Sequence, residues 1–364
     1  MKLNNLFLIA GALVPNSIRK DFNLLPKMPS NLPVIISGGG PCGLLCAVVL
    51  KKYDVPFVLV ERVSEEKQTA DVGSGFDMAP TATRIFEHLE LPNWREKLTT
   101  FKGITMMRMG SGNIVRKLMA DDLYDGEASA VKRSSLQQCL KDKLGESLVS
   151  GETVHYGASV VNHEESANGS DSRVSVTLST GVTIEGRCLL VCEGWKSVTR
   201  QRLLGEDKDP INFCNVAMWW GKSDISPELD KMLKATQAEG RNFCWYLGDG
   251  GNPGNFVFAP ESDGKSILWS AAQACDTDPA QSDDLTIRGG VRGKASKDEL
   301  MKICEDRCEV IRTIVTNTPA SSVTKVGLYD RANLDHDFTS QQGLVALLGD
   351  SAHPQTPFLG QGCK

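Results

Sequence analysis

A chain of 364 residues, 41% hydrophobic and 23% charged, is long enough to bury a large core and to divide into two domains. Its formal net charge of −5, from 45 acidic against 40 basic side chains, lacks the basic field of a nucleic-acid binder and excludes nucleic acid as the main partner. No apolar run is long enough to span a bilayer, and eleven cysteines without a CxxC pair read as reduced thiols rather than as a disulfide framework.

Residues 1–30 read as a leader or a disordered N-terminus. Leu6 to Val14 is apolar, preceded by Lys2 and followed by Pro15. The single basic flank, with only Ala10 and Ala12 near a small-x-small pattern, favours an uncleaved segment of a cytoplasmic protein; a secretory or organellar leader stays open. Pro33 to Ser37 is then a β-branched strand, and Gly38, Gly40 and Gly43 follow at GxGxxG spacing before the apolar helix Leu44 to Leu50. Gly38 permits the turn, Gly40 lets a pyrophosphate approach the backbone, and Gly43 lets helix and strand pack closely. A second strand, Phe57 to Val60, ends at Glu61, 23 residues after Gly38. A βαβ nucleotide fold positions there the acid that accepts hydrogen bonds from a ribose.

Thr81 to Glu90 has a helical pattern, Ile104 to Met109 and Ile114-Val115 flank a Gly110 to Asn113 hairpin turn, and Leu136 to Leu148 is helical again. Val174 to Leu178 alternates strictly, Thr180-Gly181 turns, and Val182 to Ile184 returns toward the buried strand Cys188 to Val191. Asn168-Gly169-Ser170 reads as a hairpin turn rather than a glycosylation site. From Asn212 to Trp269 aromatic residues cluster, with Trp219, Trp220, Phe243, Trp245, Tyr246, Phe256, Phe258 and Trp269 on strand-like runs. They read either as a sheet roofing an apolar substrate pocket or as the plain core of an antiparallel sheet, and for any one of them the core reading is the stronger. Gly248 to Gly254 and Asp276 to Arg292 are loop-like. Cys42 and Cys46, like Cys304 and Cys308, stand one helical turn apart; metal binding would need further ligands, so helix packing is the favoured reading.

The last strand, Gly343 to Leu348, carries Asp350 just past its carboxyl end, where α/β folds bind ligands and where a carboxylate can accept from a ribityl chain. Pro354 and Pro357 stiffen the next turn, and Gly360-Gln361-Gly362 exposes backbone N–H groups suited to an anionic ring edge. This second glycine-rich turn favours a flavin over a nicotinamide as the bound dinucleotide.

With these motifs in order, the chain resembles the group A FAD-dependent monooxygenases, the family of aromatic hydroxylases and zeaxanthin epoxidases. The resemblance rests on Gly38 to Gly43, on Cys192-Glu193-Gly194-Trp195-Lys196-Ser197-Val198-Thr199-Arg200, and on Gly349-Asp350-Ser351-Ala352-His353-Pro354. Gly73 to Arg84 and Arg133-Ser134-Ser135-Leu136 also agree. It implies an α/β fold: a Rossmann-like FAD-binding domain over residues 31–210, with a sheet excursion at about 101–130. A mostly antiparallel β-sheet substrate domain is inserted over 211–328, and 329–364 returns to the first domain. It implies FAD contacts from Gly38, Gly40, Pro41, Cys42, Gly43, Glu61, Arg62, Arg133, Glu193, Gly194, Gly349, Asp350, Pro357, Gly360 and Gly362. NADPH or NADH would reduce the flavin, O2 would add to it as a hydroperoxide, and one oxygen atom would pass to an aromatic or isoprenoid-like small molecule.

Glu193 stands where the family has Asp. The chain stops at Lys364, before the helix with which the family continues, so the resemblance implies an FAD-binding domain that ends prematurely. No nucleophile with a matched base is legible, no catalytic side chain is assigned, and His353 is read as packing beside the flavin. A non-oxygenating flavin oxidoreductase and an inactive truncated flavin-binding protein are the alternatives.

Overall fold

A computed structural model describes residues 31–69, 75–123, 126, 128–167, 172–205, 208–236, 243–249, 252–262, 264–281, 290–331 and 337–356. They fall into two compact units: residues up to 69 with 137–211 and 331–355, and residues 75–136 with 212–330 and 356.

In the first unit, Val34–Ser37 (β1) and Phe57–Glu61 (β2) are buried along their whole length, as the inner strands of a parallel sheet must be. Between them runs helix α1 (Pro41–Lys52), started by Pro41 at a position where its missing N–H costs nothing. Lys51 and Lys52 in its last turn complement the helix dipole. Glu65–Thr69 (α2), Arg133–Leu144 (α3), Val154–Tyr156 (β3), Val160–Ser166 (β4), Arg173–Leu178 (β5), Thr183–Gly186 (β6), Cys188–Val191 (β7), Val198–Leu204 (α4) and Val345–Leu347 (β8) follow. The main sheet has the order β8-β7-β1-β2-β3, and every pairing in it is parallel. The expected meander forms a separate antiparallel sheet, β6-β5-β4. Alternate residues Val174, Val176 and Leu178 of β5 join Ile35, Val60, Leu189, Val191, Val345 and Leu347 in one core, while α1 packs on β1 and β2.

The second unit is built on an eight-stranded sheet, in the order 291–292, 324–331, 211–224, 266–274, 252–260, 243–249, 103–108, 114–119. Among its described pairings only Gly103–Arg108 with Phe243–Asp249 is parallel. Gly103–Arg108 lies within the sheet excursion expected at about 101–130 of the first domain, 31–210. The hairpin at 103–119 extends the second unit's sheet, so residues 75–136 cluster with 212–330.

The aromatic run separates by strand alternation into two faces. Trp219, Tyr246, Phe256, Phe258 and Trp269 pack against Leu229, Leu233, Leu300, Ile311, Ile314 and Val315 of three helices. Phe256 stacks on Trp269 at 5.5 Å, and the Trp269 indole N–H donates to Thr318 Oγ1 at 2.9 Å. Phe243 and Trp245 lie on the opposite face with Phe101, Ala120, Ala128 and Ala259. Five of the eight aromatics therefore belong to the core under the helices, which decides for the plainer of the two expectations at those positions. No helix among the described residues is long and apolar enough to cross a membrane.

One buried ion network ties the first unit together. Arg200 on α4 grips Asp209 through two bonds of 2.7 and 2.8 Å and donates to the carbonyls of Ser351 and Ala352. Arg331 also bonds Asp209 and donates to Trp195 O at 2.9 Å. The side chains of Arg200 and Asp209 are completely buried and that of Arg331 nearly so, and the backbone carbonyls help to solvate the two cations that share one carboxylate. Replacing Asp209 with Ala leaves both guanidinium groups without their counter-charge. The expected loss is about 3–5 kcal/mol of stability, read as a lower urea midpoint; an unchanged midpoint would contradict the assignment.

Candidate functional site

The paired registers set the carboxyl ends of the main strands level with one another, Ser37 opposite both Val60 and Val191, and Val191 opposite Leu347. Three backbone bonds continue the ladder one residue beyond: Gly38 N–H to Val60 O at 2.7 Å, Cys192 N–H to Ser37 O at 2.7 Å, and Leu348 N–H to Val191 O at 2.9 Å. The three motif turns consequently leave the sheet side by side.

The first turn is closed by its glycines. Gly38 has φ +105°, and a Cβ there would lie 2.3 Å from Cys192 O; a Cβ on Gly43 would lie 1.8 Å from Gly38 O. Gly40 is the N-cap of α1 and no side chain caps that end, which leaves amide donors and the positive end of the dipole for an anion. Buried Glu61 accepts from Gly39 N–H at 2.7 Å and from Val63 N–H at 2.9 Å, and each oxygen keeps a further lone pair. Gln68 and Gln137 both donate to Gly39 O, at 2.5 and 3.3 Å. The other end of the Gln68 amide, Oε1, is buried without a hydrogen-bond partner. Neither glutamine has a sequence signature, since each was one polar residue in a polar stretch.

The middle turn differs from expectation. Glu193, expected to reach a cofactor, accepts from Ser37 Oγ (2.6 Å) and Thr199 Oγ1 (2.7 Å) on one oxygen, and from Ser197 Oγ (2.7 Å) and Thr199 N–H (3.1 Å) on the other. Four donors occupy the roughly four lone-pair directions of a carboxylate, so the side chain anchors the start of α4 to β1. Gly194, at φ +81° with open space where a Cβ would stand, donates its N–H to Ser351 Oγ at 2.9 Å. That bond joins the middle motif to the last.

The first and last motifs also touch. A Cβ on Gly349, at φ +55°, would meet Cys42 Sγ at 3.1 Å. Cys42 and Cys192 share a hydrogen bond at 3.6 Å. That bond pulls the Cys42 thiol down to about 4 and pushes the Cys192 thiol up.

Of the remaining expected contacts, Arg62 is exposed beside Glu61, and Asp350 is exposed on the short 3-10 turn Gly349–Ser351. Arg133 is the first residue of α3 and falls in the second unit. His353 is exposed, with its backbone N–H held by Gly349 O. Pro357, Gly360 and Gly362, like the turn at Asn168-Gly169-Ser170, lie outside the described residues.

An uncapped helix start, glycines where a Cβ would collide, a buried acid with spare lone pairs and an orphaned amide oxygen beside Gly39 together fit a dinucleotide such as FAD. The comparisons with known proteins agree. The family model described as "FAD binding domain" matches residues 31–363. Aurachin C monooxygenase/isomerase of Stigmatella aurantiaca is 25% identical, with 92% of this chain and 78% of that protein covered. The chloroplastic zeaxanthin epoxidase of Spinacia oleracea is 27% identical over 96% of this chain; the chain spans only 47% of that epoxidase. Among solved structures, Klebsiella pneumoniae HpxO complexed with FAD and uric acid superposes with a TM-score of 0.72 at 20% identity, covering 91% of this chain and 76% of that one. The 2,6-dihydroxypyridine-3-hydroxylase of Arthrobacter nicotinovorans gives 0.73 at 18% identity, covering 92% and 81%. These two share the fold. The chain belongs to the FAD binding domain family, that of the FAD-dependent monooxygenases, and FAD is its cofactor.

Proposed function

We propose that this protein is a monooxygenase that uses NADPH or NADH and O2 to hydroxylate or epoxidise an aromatic or isoprenoid-like small molecule. The observation that carries the reading is the junction of three motif turns at one sheet edge, through Ser37–Glu193, Gly194–Ser351 and Cys42–Gly349. The substrate class is supported by relatives named for zeaxanthin and for 3-amino-4-hydroxybenzoate. Ten free cysteines among the described residues support a reducing compartment such as the cytoplasm.

Bound FAD would supply the redox chemistry, taking electrons from the nicotinamide and passing them to O2. The chain's own groups bind and orient it. The amides of the Gly38 to Gly43 turn and the start of α1 would hold the pyrophosphate. Glu61 would accept from the adenosine ribose, Gln68 Oε1 from a neighbouring donor, and Asp350 from the ribityl chain. Glu193 is a positioning residue, holding the start of α4 to β1. Arg200 does the same for the Ser351-Ala352 backbone.

Reaction with isotopically heavy dioxygen tests the activity. One heavy oxygen atom is expected in the product for each NAD(P)H consumed; turnover to an unlabelled product would instead identify a non-oxygenating oxidoreductase. Asp350→Ala is expected to weaken FAD binding by roughly tenfold or more, the loss of one charged hydrogen bond. Unchanged flavin affinity would defeat the ribityl assignment. Gly43→Ala, whose methyl group collides with Gly38 O, is expected to abolish FAD retention in flavin fluorescence titrations. Normal retention would show that the first turn is not the pyrophosphate site.

A further inference from the structure

Cys42 and Cys46 stand one turn apart on α1, on the same face of the helix, and lack in sequence the extra ligand that a metal requires. The fold supplies it. The bond from Cys192 N–H to Ser37 O sets Cys192 beside the start of α1, and the three sulfur atoms lie within 4.8 Å of one another, with Cys42 and Cys192 3.6 Å apart. Three sulfurs on one ion, each bonded at about 2.3 Å, stand about 4 Å apart. Cys46 and Cys192 are buried and Cys42 is half-buried, so the trio is shielded with one side approachable. Among the described residues no other trio of His, Cys, Asp or Glu side chains comes this close.

We propose that Cys42, Cys46 and Cys192 form a three-thiolate binding site for a soft d10 metal cation of the monovalent copper type. Thiolates select soft ions. Three sulfurs with no fourth protein ligand in the cluster suit an ion content with trigonal coordination better than structural zinc, which takes four ligands. On binding, the protons still held by the three sulfurs pass to solvent, three metal–sulfur bonds form, and no electron is transferred. The complex carries excess negative charge at Cys42, the second residue of α1, where the helix dipole is favourable. The site adjoins the dinucleotide groups, because Cys42 belongs to the Gly38 to Gly43 turn, but it uses side-chain sulfurs where the dinucleotide would use backbone amides, and it would pin the first turn to the end of β7.

The test uses the full chain, reduced, with monovalent copper delivered in competition against a chromophoric copper(I) chelator. One tightly held ion per chain is expected, with a single shell of three sulfurs in X-ray absorption. Cys46→Ala and Cys192→Ala are each expected to lower its affinity by more than roughly 100-fold, the upper end of what loss of an outer-shell partner costs. Cys304→Ala, made in the other cysteine pair, is expected to leave the affinity unchanged. Should the first two variants fail to fold, alkylation mapped by mass spectrometry on the unaltered chain decides: bound copper must protect Cys42, Cys46 and Cys192 together. Two-sulfur coordination, equal affinity in folded Cys192→Ala, or a lack of joint protection would each overturn the site. So would oxidation of Cys42 and Cys192 to a disulfide that leaves copper binding unaltered.

Discussion

Everything at this site depends on the carboxyl ends of β1, β2, β7 and β8 being level. A parallel ladder is slanted and evenly spaced, so each strand's last carbonyl can take the first amide of its neighbour's turn, as Ser37 does for Cys192 and Val191 does for Leu348. A slip of one residue would turn the buried side chains of a strand to its other face. It would also break all three turn-to-strand bonds, and segments far apart in sequence would no longer meet.

The side chains that lock this edge are polar and buried, an arrangement that is stable only when fully satisfied. Glu193 illustrates the point. Its carboxylate is surrounded by hydroxyl and amide donors from β1 and from the start of α4, which makes it a structural anion rather than a free ligand. Asp209 does the equivalent for two cations, and the carbonyls of Trp195, Ser351 and Ala352 complete their solvation. Both clusters connect the middle motif to other segments of the first unit, so the cofactor edge and the unit's core share one polar framework.

Much of this framework was legible in the sequence where chemistry is local. The strand–turn–helix at Gly38 to Gly43, the second strand ending at Glu61 and the meander before Cys188 follow from spacing and alternation, and they appear as expected. What was not legible depends on long-range pairing. Gln68 and Gln137 converge on one carbonyl from two distant helices, and Cys192 completes a trio begun 150 residues earlier. Residues 75–136 join the second unit's sheet through the parallel pairing of Gly103–Arg108 with Phe243–Asp249 and pack Phe101, Ala120 and Ala128 on Phe243 and Ala259, which no local pattern announces. The aromatic run from Asn212 to Trp269 was visible as a cluster, but which face each ring occupies required knowing that helices cover one side of the sheet.

The central claim is that this edge holds FAD, and the most direct measurement is the visible absorbance of the purified chain after FAD is added and the excess removed. The account predicts a retained flavin spectrum, shifted and structured relative to free FAD. A folded protein that emerges colourless would contradict it.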